Sequence, residues 1–185
     1  MTTTDDEAKA AQQFRGYILE KLTDERGVHA ETAVAAAARM AGTFLLRSCN
    51  LPMASLEPGS PVLSDAVNER GPLLVEILGV ALQGMNIEID MTRANVAHHG
   101  GAALLTVPQT QSLLEMGMIG LKDRFGLDYE RGACAAALAA ALLIKDTSVA
   151  LDPSTAFGIA AYGFVEGAKT VPQPLPDQTP PAAKK

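Results

Sequence analysis

Residues Ala133 to Ile144 read A-C-A-A-A-L-A-A-A-L-L-I, twelve successive positions without a charged or strongly polar side chain. Arg131 stands before the run and Lys145 closes it. Ala and Leu are the strongest helix formers, and no Gly, Pro or β-branched run interrupts them. A helix that is apolar all round has to be buried, in protein or in lipid. At about 1.5 Å per residue the run spans roughly 18 Å, well short of the roughly 30 Å hydrocarbon layer of a bilayer. The expectation is therefore an all-α, single-domain bundle of about six helices, with this Ala-rich helix packed at its centre.

The bulk composition agrees with a protein that buries its own core. The chain has 185 residues, enough for one domain without disulfides or a structural metal. Its net charge of −6 and the absence of any Lys/Arg run longer than the terminal Lys184–Lys185 argue against nucleic acid as a partner. The opening M-T-T-T-D-D-E is acidic and has no apolar segment of the kind a signal peptide carries. No stretch is long enough to span a membrane. Cys49 and Cys134 lack metal or redox spacing, so a reduced, cytoplasmic setting is the default. Hydrophobic residues make up 48 % of the chain, yet aromatics only 4 % and Trp none. So much small aliphatic surface is hard to hide within one copy of a short chain, which points to a homo-oligomer, most simply a two-fold dimer.

Reading outward from the central run, capping chemistry marks most helix ends. Thr4-Asp-Asp-Glu7 and Thr106-Val-Pro-Gln109 fit the reciprocal capping box. They open helices expected over 4–25 and 106–125. Gly27 and Gly126 are natural stops. A second helix is expected over 30–47, with Glu31 in its first turn and Arg47 in its last, both favourable to the macrodipole. Ser64 caps a third to about Gly84, where Pro72 predicts a break or kink. Asp128 caps the central helix, and Asp152-Pro153 starts a last one reaching about Lys169. Residues 86–106 are ambiguous: Ile87, Ile89 and Met91 alternate with charges as in a strand, while Asp90 could cap a short helix. The domain is read as 1–169, and the five prolines after Thr170 predict a Pro-rich tail over 170–185.

Two segments look alike. L-T-D-E-R-G-V-H-A-E at 22–31 and L-K-D-R-F-G-L-D-Y-E at 121–130 share Leu, Asp, Gly and Glu in register. Each would end one helix, turn on glycine and open an Ala-rich helix. Shared capping chemistry explains such a match without duplication; a hairpin used twice explains it too.

Motifs that carry chemistry are scarce. The chain has no G-x-S-x-G elbow, no phosphate-binding glycine loop, no H-E-x-x-H and no E-x-x-H of the di-iron bundles. What remains is a loose polar set: His29, Glu31, Asp90, His98 and His99. As a metal site the three histidines lack a carboxylate or cysteine at ligand spacing; the alternative is that His29 caps a helix or meets Glu31, and that the pair before Gly100-Gly101 is solvated. No cofactor is implied. The leading functional expectation is a non-enzymatic cytoplasmic helical protein that acts by self-association or partner binding. The alternative is a small-molecule-binding protein or enzyme with a pocket built by the two irregular segments, 49–63 and 86–107.

Overall fold

The computed structural model describes residues 4–53, 55–95 and 103–175. Among them run seven helices and no strand: α1 (Asp5–Leu22), α2 (Ala30–Ser48), α3 (Asp65–Gly84), α4 (Met91–Ala94), α5 (Val107–Arg124), α6 (Tyr129–Thr147) and α7 (Pro153–Ala168). The fold is an all-α bundle, one short helix richer than expected. Both capping boxes form, with Thr4 and Glu7 on α1 and Thr106 and Gln109 on α5 exchanging side-chain and backbone bonds. Ser64, Asp128 and Asp152 each accept a backbone N–H at the start of α3, α6 and α7. Gly27 (φ 98°) and Gly126 (φ 63°) take the left-handed conformation that turns the chain after α1 and α5.

The run Ala133–Ile144 lies inside α6 and is buried except for Leu138 and Leu142, which are half-buried along one edge. It shares the centre with α2, where every residue from Thr32 to Arg47 is buried. Small side chains let the backbones meet. A Cβ added to Gly42 would strike the Phe164 carbonyl oxygen of α7, and one on Gly167 would strike the carbonyl oxygen of Arg39. At Gly163 it would come within 2.9 Å of the Ala38 methyl. Larger groups fill the ends: Phe14, Phe44 and Tyr129 stack edge to face, with ring centroids 6.1 and 5.7 Å apart. One contiguous apolar core draws on all seven helices. Cys134 belongs to this interior, and burial pushes its thiol up to about 11.

The chain traces one three-helix path twice. α1 and α5 both have 18 residues, and α2 and α6 both have 19. α1 packs on α6 as α5 packs on α2, and α3 packs on α6 as α7 packs on α2. The like pairs α1/α5, α2/α6 and α3/α7 also touch. These contacts are the ones that a pseudo-two-fold arrangement about the α2/α6 pair would give. The likeness of 22–31 and 121–130 marks the same junction in each half.

Three expectations change. Residues 87–90 form no strand; Asp90 caps α4 by accepting from Thr92 N–H, so the local cap prevails over the weak alternation. α3 continues through Pro72 without a break. The expected tail begins as part of the body: Thr170 bridges Pro61, Val171 N–H donates to the Ser60 carbonyl, and Gly59 N–H donates to Val171. Val171 is buried with Leu46, Val62, Val67 and Ala168 in a small second cluster. The remainder of the Pro-rich stretch lies outside the described residues. Among the described residues no helix is long and apolar enough to cross a membrane.

Candidate functional site

The polar set read from the sequence does not gather into one cleft. His29 occupies the N-cap position of α2, but its ring bonds the Thr32 hydroxyl (Nδ1 to Oγ1, 2.8 Å) rather than a backbone amide, and its Nε2 lies 3.4 Å from Glu31. Thr32 also accepts from the Leu104 N–H at 2.9 Å, which ties the incoming loop to the start of α2. These residues therefore join a helix start to a loop. Asp90 is exposed and engaged elsewhere. It accepts from the Thr92 hydroxyl and N–H, which hold its carboxyl below the usual range, and its own N–H donates to Ser154 of α7. No hydrogen bond or ion pair joins Asp90 to His29 or Glu31 among the described residues. His98 and His99 lie outside them. No group of three or more His, Cys, Asp or Glu is arranged to hold a metal among the described residues.

The structure instead collects charge along α2. Arg39 is buried; its Nε bonds Glu166 at 2.8 Å and its Nη1 the Leu105 carbonyl at 2.5 Å. Two turns on, Arg47 and Glu115 form an ion pair at 2.5 Å with side chains only 4 % and 5 % exposed. Arg47 also donates from Nη2 to the Gln173 carbonyl at 2.8 Å. Beside it, Gln111 of α5 donates to the Thr43 hydroxyl and the Thr170 carbonyl. Burial raises the Glu115 carboxyl above its ordinary value, only partly offset by Arg47. The same burial raises the Tyr129 phenol, over whose ring the Lys122 ammonium sits at 4.5 Å. The sequence places Arg47 only as a cation at a helix end. Its true partner lies 68 positions away, a distance at which no local pattern speaks.

Arg47 of this pair, with Glu115 bonded behind it, lines a cleft of about 360 Å³. Its sides are the loop after α2, including Pro52, Met53 and Leu56, and the extended segment Val171–Pro174; Tyr129 closes one end. Of the two segments expected to build a pocket, 49–63 contributes lining residues to this cleft. The opposite wall comes from the C-terminal segment, and no described residue of 86–107 lines it. A second recess, about 510 Å³, runs between α3 and α7. Its walls are Val67, Pro72, Val75, Phe164 and Val165, with Glu76 and Lys169 among its few charges.

No family model, curated protein or solved structure matches the chain.

Proposed function

We propose that the protein acts as a helical binding module by self-association, two copies meeting face to face across the groove between α3 and α7. The observation that carries this reading is the apolar wall of that groove and its continuation onto open surface. Val165 is 50 % exposed. Val80, one turn beyond Glu76 on α3, is 63 % exposed, and Tyr162, one turn before Val165 on α7, is 39 % exposed. Leu63, next to the Val62 that pairs with Lys169, is 88 % exposed. Exposed apolar side chains around an apolar groove favour an interaction site. The two charges fit a second copy: in an isologous contact the same patch meets itself, so Glu76 of each copy can face Lys169 of the other. The free thiols Cys49 and Cys134 fit the reducing, cytoplasmic setting to which the composition points.

Sedimentation equilibrium at micromolar concentration tests it. The reading expects twice the 19.3 kDa chain mass. It also expects Val165→Glu with Val75→Glu to return the single-chain mass while the helical signal is unchanged. A wild-type protein that stays at the single-chain mass into the high micromolar range overturns it.

A further inference from the structure

The internal repeat supplies its own control for the Arg47–Glu115 pair. Arg47 on α2 and Asp146 on α6 occupy the same place in helices of identical length, eighteenth of nineteen. Each forms an ion pair with the helix that packs on it from the other hairpin: Arg47 with Glu115 of α5, and Asp146 with Arg15 of α1. One junction of the repeat therefore carries the same tether with its signs reversed. The Arg15–Asp146 pair is about one-third exposed, 34 % and 32 %, so tethering these helices does not require burial. The Arg47–Glu115 pair is sealed, at 4 % and 5 %, and its Arg47 lines the cleft of about 360 Å³.

We propose that this cleft binds a small molecule carrying one anionic group on an apolar body, and that Glu115 takes up a proton as the anion reaches Arg47. The cleft volume of about 360 Å³ is that of a small-ligand site. Met53, Leu56 and Val171 offer apolar contact, and Met adapts to irregular ligand shapes. Arg47 is the cation in the wall; a guanidinium has five N–H donors in a planar fork suited to carboxylate or sulfonate oxygens, and bonds to Glu115 and Gln173 account for two of them. A second anion beside an ionised Glu115 would leave two negative charges against one positive in a place with little water. One proton from solvent onto the Glu115 carboxylate restores one anion to one cation.

The surroundings of Glu115 favour that exchange. Its carboxyl is already desolvated, so the neutral form is within easy reach. The charged group facing it from α2 is Arg47, and the titratable group from α6 is the neutral Tyr129 phenol. From its own helix Lys122, paired with Asp123, sits over the Tyr129 ring. On the α1 side Tyr17 packs on Gly117, two residues along and so on the opposite face of the helix. The C-terminal segment contributes the Thr170 and Gln173 carbonyl oxygens, which accept from Gln111 and Arg47.

Calorimetric titration of the full chain with octanesulfonate, which stays ionised throughout, between about pH 5 and pH 8 tests the proposal. In buffers of differing ionisation enthalpy it expects saturable binding with net uptake approaching one proton per ligand at the alkaline end, and affinity falling by up to about tenfold per pH unit where uptake is complete. Neutral octanol binds far more weakly. Glu115→Gln binds octanesulfonate without proton uptake or pH dependence, Arg47→Met loses binding, and Arg15→Met, in the equivalent pair, binds as wild type. The proton count needs only the wild-type protein and stands even if Arg47→Met fails to fold. No saturable binding by the folded wild type, binding without proton uptake, or equal binding of octanol overturns the proposal.

Discussion

Glu115 shows how burial turns an ion pair into a pH-sensitive element. A desolvated carboxylate costs more than its partner returns unless the geometry is very good, and here the folded state raises the carboxyl above its ordinary 4.5. The folded protein therefore holds this proton more tightly than the unfolded chain does. Its stabilising contribution is complete below about pH 4.5 and is lost as the pH rises through the raised folded value. Glu115→Gln has no such proton to lose. Paired chemical-denaturation curves of wild type and Glu115→Gln, from acid to neutral, are expected to show the wild type losing ground steadily to the variant as the pH rises. A constant difference across that range would mean that Glu115 has an ordinary carboxyl. The residue could not be singled out beforehand, because neither its burial nor its partner leaves a mark on neighbouring positions: Glu115 sits in a helix of mixed character, and Arg47 reads as a routine helix-end cation.

Among the elements, the α2/α7 crossing is the most demanding contact, since backbone meets backbone at Gly42, Gly163 and Gly167. Gly167→Ala drives a methyl into the Arg39 carbonyl and is expected to cost about 1–3 kcal/mol or more, as overpacking does. Gly120, in α5, has nothing within 4 Å of its would-be Cβ. There Gly→Ala is expected to stabilise by about 0.5–1 kcal/mol, the ordinary helix preference. Urea midpoints of the two variants check both signs; equal shifts would show that the crossing is looser than described. Helix ends were legible in advance, because caps act within one turn: Thr4, Ser64, Thr106, Asp128 and Asp152 each do what their residue type predicts. The docking of Val171 was not legible. It depends on Leu46, Val62 and Val67, brought from elsewhere in the chain, while the prolines around it favour extended chain equally in solvent or against a surface.

At the scale of the molecule, the bundle is two small-residue helices, α2 and α6, each covered by helices from both halves of the repeat. The apolar run in α6 announces its burial in sequence. α2 is buried more completely but hides it, because Arg39 and Arg47 interrupt its apolar pattern and are satisfied only by Glu166, Leu105, Glu115 and Gln173. Of these partners Gln173 lines the candidate cleft with Arg47, 126 positions away in the chain, which is why the fold class could be read from periodicity and the site could not. A shared centre implies a shared order of opening, in which the amides of the innermost helices exchange only when the whole bundle opens. Hydrogen exchange resolved along the chain measures this directly. Slowest exchange in 33–46 and 133–144 together, with α3 and α5 exchanging sooner, is the predicted result; exchange in either stretch as fast as in α3 would contradict a bundle built around that pair.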